Sequence, residues 1–243
     1  MANELLDLPL WMTEKPVINK TKKFIQFKGQ IKQCIYPNML ASYAEEILNK
    51  IESSKIHKVV YGFDMEWPVT YNRKSNKTAL IQICIDHSTC YLFHVCALEL
   101  SFFTCYLLSY NVYHIIKLPS IFVYLINHPR VRWSGVCIKN DFLKLGRDFN
   151  VDVSGALSNI IDLATYTNKV LDFDSSTTWS MANLVQRLLK KDVNKDGNVR
   201  ISSWDNTTLD QNQHMYAATD AFISLILYEH LKKFDKEDEL QIN

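Results

Sequence analysis

The chain has 243 residues, a formal net charge of +1, 47% hydrophobic residues and 22% charged residues. That length supports one well-buried α/β domain with a short extra segment at either end. The near-neutral balance excludes a strongly basic nucleic-acid binder of the histone type but leaves room for local basic patches.

The six cysteines (Cys34, Cys84, Cys90, Cys96, Cys105, Cys137) form no CxxC pair, and several lie in apolar runs such as LIQICID. They read as reduced thiols of an intracellular protein, not as a disulfide framework. Residues 1–25 read as a weakly structured arm whose opening, MANELLDLPLWMTEKP, has early acidic residues and no uninterrupted apolar core; it is not expected to be a signal peptide. The lysine-rich stretch 15–28 is either a solvated tail or an arm for DNA contact or nuclear targeting, since clustered lysines bind phosphate readily. Residues 41–51 then predict a short amphipathic helix.

Three strand-like runs follow in close order. HKVVYGFDMEW is separated by a polar loop, TYNRKSNK, from ALIQICI, and a short turn at 86–88 leads into TCYLFHV. Such spacing predicts an antiparallel meander. After it, IFVYLINH reads as helix, VRWSGV as a short strand, and NDFLKLGRDF as helix. NIIDLATYT precedes WSMANLVQRLLKK, which has helical periodicity with Ser180 as a candidate N-cap and Trp179 and Leu184 as core. A polar loop runs to Trp204, and a last long helix is predicted over about 209–234 with lysines at its end. A meander followed by alternating strands and helices implies an α/β fold with a mixed central sheet flanked by helices.

One segment breaks the pattern. The run LSFFTCYLLSYNVYHII, within an apolar insertion at 100–117, stands where a short polar connection is expected. It falls short of the roughly 20 residues of a membrane span. It also carries Ser101, Thr104, Ser109, Asn111 and His114, so no membrane association is expected. It reads as an extra packed helix or strand, or as translated non-coding sequence.

Three features carry chemistry. Asp64 and Glu66 in GFDMEW are two apart on a predicted strand, so both carboxylates project from one face. Their repulsion suits a site that holds a cation, and an acidic pair at the end of an apolar strand has little packing rationale. Tyr216 and Asp220 in YAATD are four apart on a predicted helix and share a face; a surface pair is the plainer reading of that spacing alone. Asp141, at a strand–helix junction in CIKNDFLKL, is either a third functional carboxylate or a residue that caps the helix N-terminus or stabilises its dipole, a purpose Asn140 could also serve.

The order of these features resembles a known family. FDMEW, then YNR, ALIQIC, CYLFHV, a junction carrying ND, TWS and YAATDA resemble the Werner-type 3′→5′ exonuclease domain over roughly residues 55–232. That domain belongs with RNase D and proofreading exonucleases in the DEDD group, which implies an RNase H-like fold. The resemblance implies Asp64, Glu66, Asp141 and Asp220 as ligands of two Mg²⁺ or Mn²⁺ ions. It implies Tyr216 as the residue that orients the attacking water, and so a DEDDy enzyme releasing 5′-mononucleotides. Hard cations prefer oxygen ligands, in keeping with that set. The sequence departs from the family at Leu143, where Werner-type members usually carry an aromatic two residues after the third aspartate; Phe142 is adjacent.

For substrate contacts, Met65 and Trp67 are expected as walls near the terminal nucleotide, and Arg73, Lys74 and Lys77 as phosphate contacts or as a solvated loop. The resemblance implies DNA with a free 3′ end as substrate, a nuclear role in repair or replication, and a separate helicase as partner, since no GxxxxGK[ST] motif occurs. An exoribonuclease like RNase D and a non-catalytic scaffold are the alternatives. The domain is expected over 26–234, with a tail at 235–243. Asp192, Asn194, Asp196 and Gly197 resemble the start of a calcium-binding loop, but its twelfth position is Ser203 where such loops need glutamate, so a connecting loop is expected there.

Overall fold

The computed structural model describes residues 23–69, 76–96, 117–194, 197–206 and 208–235. Residues 100–116 of the apolar insertion, the N-terminal 22 residues and the last eight lie outside them, as do Arg73, Lys74, Asp196 and Cys105.

The three strand-like runs form the predicted meander: β3 (Val59–Glu66), β4 (Leu80–Asp86) and β5 (Thr89–Phe93), each antiparallel to the next. An earlier strand, β2 (Gln30–Cys34), lies parallel to β5 at one edge, preceded by a two-residue β1 (Phe24–Ile25). On the other side β6 (Val131–Gly135) lies parallel to β3, and β7 (Ile160–Asp162) parallel to β6. The six-stranded order is therefore β2-β5-β4-β3-β6-β7, a mixed sheet with parallel–antiparallel boundaries at β5 and β3. A separate pair joins β1 to β8 (Asp192–Val193), in the stretch read as polar loop.

Alternation along the strands sorts the residues into two faces. Tyr61, Phe63 and Met65 join Ile81, Ile83, Ile85 and Trp133 in the larger core. This face is covered by α1 (Pro37–Ser53), α2 (Ser120–Ile126) and α3 (Ile138–Phe149). In α1 the buried residues Leu40, Ala44, Ile47, Leu48 and Ile51 recur at helical spacing, and the helix runs a turn further toward the N-terminus than its periodicity predicts. A four-residue α4 (Ser154–Leu157) precedes β7, and α5 (Leu163–Val170) follows it. Next come α6 (Met181–Leu184), capped by Ser180 through the Asn183 N–H, and a π-helical turn at Val185–Leu189. Leu184 is buried and Trp179 half-buried against the same core. A single turn, α7 (Gly197–Arg200), leads to the long α8 (Gln211–Lys232).

Helix α8 lies across the opposite face of the sheet. Ala217, Ala218, Ala221 and Leu225 meet Leu80, Cys84, Cys90 and Leu92, while Ile223, Leu227 and Leu231 pack on Leu184, Val185 and Leu188. The chain is also tied to α8 near its start: Phe27 is buried and donates its N–H to Thr219 Oγ1 at 3.2 Å. The five described cysteines are free thiols. Among the described residues no helix is long and apolar enough to cross a membrane.

Gly62 sets how closely α8 approaches β3. A Cβ there would overlap the Ala221 carbonyl oxygen and lie 2.9 Å from the Leu225 nitrogen, and neither backbone atom can move without displacing the helix. Gly62→Ala is therefore expected to lower stability by about 3 kcal/mol, at the upper end of the usual overpacking cost. Chemical denaturation measures this, and a loss below about 0.5 kcal/mol would mean the helix is free to shift.

Candidate active site

The end of β3 carries the first two carboxylates on the face toward α8. Asp64 and Glu66 are both half-buried and flank Met65, whose side chain turns to the opposite face and is only 3% exposed. The expectation that the Met65 side chain walls the nucleotide is therefore corrected: strand alternation places it in the core. Its backbone N–H does serve the site, donating to Asp64 Oδ1 at 2.9 Å.

The other pair comes from α8, which begins with a capping box: Asp210 accepts from the Gln213 N–H, and the Gln213 side chain accepts from the Asp210 N–H. One and two turns later stand Tyr216, half-buried, and Asp220, buried. Burial, then the Asp220, Glu66 and Asp64 charges, hold the Tyr216 phenol far above its ordinary pKa. Oxygens of Asp64, Glu66 and Asp220 lie within 4.8 Å of one another. Residues 156 positions apart in the chain thus meet at one point.

Asp141 stands outside that triad but within electrostatic reach of Asp64 and Glu66. It is the fourth residue of α3, and the residue before that helix, Cys137, has left-handed backbone (φ 58°) with no side-chain cap. Capping by Asp141 or Asn140 is thus not what the structure uses. Burial, then the Asp64 and Asp162 charges, push Asp141 up to about 8. Burial raises Asp64 to about 6 against the hydrogen bond from Met65, and Glu66 is raised well above its ordinary value by burial and by Asp64, Asp220 and Asp141. Phe142 is fully buried and stacked on Phe63 at 4.4 Å, whereas Leu143 is 42% exposed. The position where the resemblance expects an aromatic thus presents an aliphatic side chain to solvent.

The remaining predicted contacts separate. Trp67 is half-buried against the larger core, with the Lys144 ammonium 4.9 Å from its ring. Lys77 lies over the Phe149 ring at 4.9 Å. Arg73 and Lys74 fall outside the described residues.

Sequence reasoning missed several neighbours. Arg200, exposed at the end of α7, acts electrostatically on both Asp64 and Glu66. Trp204, fully buried, donates its indole N–H to the Arg200 carbonyl at 3.1 Å and packs on Tyr216 with ring centroids 6.0 Å apart. Asp162 caps α5 and raises Asp141. Gln82 is paired directly across from Asp64 in the β3–β4 ladder, so the two side chains share a face. Its amide is fully buried, and neither its nitrogen nor its oxygen has a hydrogen-bond partner among the described residues.

These residues fit a divalent cation. The carboxyls of Asp64, Glu66 and Asp141, which burial and neighbouring charges make reluctant to ionise, need with Asp220 beside them a compensating positive charge, and an all-oxygen set suits a hard cation. The orphaned Gln82 amide beside Asp64 marks the same pocket as polar, since buried amides are normally hydrogen-bonded.

A mixed sheet covered by helices on both faces, with an acidic triad at the end of its central strand, is an α/β nuclease arrangement, and the family match agrees. A family model described as 3′-5′ exonuclease matches residues 40–234, and the chain belongs to that family. Proteins of Drosophila yakuba and Drosophila melanogaster named 3′-5′ exonuclease are each 37% identical over 214 residues, covering 88% of this chain and 55% of the relative. The chain thus spans a little over half the length of these relatives. The fold is shared with the Aedes aegypti Nibbler EXO domain (TM-score 0.59, 22% identity, 84% of this chain and 87% of that one). It is also shared with the catalytic core of Trypanosoma brucei RRP6 (TM-score 0.59, 14% identity, 88% and 50%).

Proposed function

We propose that this chain is a Werner-type DEDDy exonuclease that removes 5′-mononucleotides from the 3′ end of DNA by a two-metal reaction. The observation that carries the reading is the convergence of Asp64, Glu66 and Asp220 within 4.8 Å, with Tyr216 one turn from Asp220 on the same helix. Asp64, Glu66 and Asp220, with Asp141 beside them, would hold two Mg²⁺ or Mn²⁺ ions. Such ions, when bound, polarise the scissile phosphate and make water a competent nucleophile at neutral pH. Trp204 packs on the Tyr216 ring, and the phenol, kept protonated by burial and the neighbouring carboxylates, orients the water for in-line attack. A role in nuclear DNA repair or replication beside a separate helicase completes the proposal, resting on the likeness of FDMEW and YAATDA to that family.

Digestion of 5′-labelled single-stranded and 3′-recessed DNA, with an RNA control, in Mg²⁺, Mn²⁺ or EDTA tests it. A ladder of shortened DNA that EDTA abolishes is the expected result. Degradation of RNA with DNA intact would move the substrate to RNA, and intact DNA and RNA would favour the scaffold alternative. In the same assay Tyr216→Phe is expected to lower turnover about 100-fold, the scale of misplacing a reacting group, with KM nearly unchanged. Loss of DNA binding instead would make Tyr216 a substrate anchor.

A further inference from the structure

We infer that Arg200 is a substrate-contacting residue whose guanidinium grips the non-bridging oxygens of the terminal phosphodiester on the carboxylate face. The inference rests on the nuclease reading of that site and adds to it a cation supplied by the protein itself.

Arg200 is placed by the same scaffold that places the catalytic tyrosine. Its carbonyl oxygen accepts the Trp204 indole N–H at 3.1 Å, and Trp204 is fully buried with its ring against Tyr216. The Trp204 carbonyl is in turn bonded to His94 Nε2 at 3.0 Å, immediately after β5, the strand that pairs with β4. Backbone, indole and phenol thus form one connected support between β5, the α7 turn and α8. The side chain itself is exposed and makes no ion pair with another described residue, yet its charge is felt at both Asp64 and Glu66. An arginine meant only to neutralise those carboxylates would close onto them. One that stays open beside them, on an anchored main chain, is poised for an anion entering between.

The choice of arginine agrees with such a ligand. A planar fork of donors matches two phosphate oxygens at once, which a lysine ammonium does not. Phosphate is also the group that must approach this acidic cluster against charge repulsion, so a nearby fixed cation has most to offer there.

The test compares wild type with Arg200→Ala and Arg200→Lys. Binding of deoxyadenosine 5′-monophosphate is measured calorimetrically at saturating Mn²⁺, and Mn²⁺ affinity is measured separately by electron paramagnetic resonance. Arg200→Ala is expected to weaken nucleotide binding roughly tenfold or more, the scale of a lost charge-assisted pair, with Arg200→Lys in between. Mn²⁺ affinity should stay within about twofold, since the guanidinium is not a ligand. Unchanged nucleotide affinity in Arg200→Ala, with or without tighter Mn²⁺ binding, would overturn the inference and leave Arg200 as a screening charge. Because the residue is exposed, both variants should keep the wild-type melting temperature, and Arg200→Lys guards against a folding artefact. The nucleotide assay needs no turnover. Wild type that binds nucleotide through Arg200 yet leaves both DNA and RNA intact would sink the exonuclease reading alone. Wild type that shortens DNA, with Arg200→Ala binding nucleotide equally well, would sink this one alone.

Discussion

Replacing Asp64 and Glu66 together by alanine is expected to lower 3′-end shortening of DNA by on the order of 10³-fold or more, the scale seen when electrostatic support at a reacting centre is removed. The two residues supply two of the three carboxylates that converge within 4.8 Å. The expected loss is accompanied by a gain elsewhere. Burial raises both carboxyls, so in the metal-free protein they are held close together at a cost. The double variant should therefore melt at a higher temperature than wild type in EDTA, and Mg²⁺ should no longer raise its melting temperature. That combination separates loss of a site from loss of the fold. Metal-dependent shortening within about tenfold of wild type would place the chemistry elsewhere.

How much of this was legible in the sequence depends on where each residue's partner lies. The strand bearing Asp64 and Glu66 could be read because VVYGF is β-branched and aromatic, and the pairing of Tyr216 with Asp220 because helical spacing is local. The same local rule, carried one residue further, places Met65 on the far face of the sheet, where it is buried. The edge strand Gln30–Cys34 was not legible: QIKQC buries only Cys34 fully, and its partner β5 is some 60 residues away, so its β structure comes from pairing, not propensity. Arg200 was hidden for a related reason. It sits on a four-residue turn within polar sequence without periodicity, and its meaning comes from Trp204 meeting Tyr216. Gln82 did leave a trace, a lone amide in the apolar run LIQIC, but only the register shows that it faces Asp64. For Asp141 the sequence left capping and function open, and the left-handed Cys137 before α3 removed capping.

Without divalent cations, stability is expected to fall as pH rises from about 6.5 to about 8.5, and saturating Mg²⁺ should largely abolish that fall. Asp64 is raised from 3.8 to about 6, Asp141 from 3.8 to about 8, and Glu66 well above 4.5. Between the ordinary carboxyl range and these raised values the folded chain holds protons that the unfolded chain has already released. Stability must then decrease with increasing pH throughout that window. Part of it is obscured by an opposite effect. His94, His214 and His230 are shifted below 6.5 chiefly by burial, so their contribution grows as pH rises toward that value and is complete above it. Lowered carboxyls such as Asp148, held by Lys144 and Thr78 despite burial, act only on the acid side, where their stabilisation is lost as pH falls below about 4. The stretch above 6.5 is thus left to Asp141, which neighbours the proposed cation and titrates near 8, with Glu66 raised in the same direction. Divalent ions bind the deprotonated folded site and not the unfolded chain, so their stabilisation should be larger at pH 8 than at pH 5.5. Melting temperatures across this range in EDTA and in Mg²⁺ measure both curves. If the EDTA curve stays flat or rises above pH 6.5, these carboxyls are not destabilised in the folded protein, and the case for a cation-demanding cluster loses its electrostatic support.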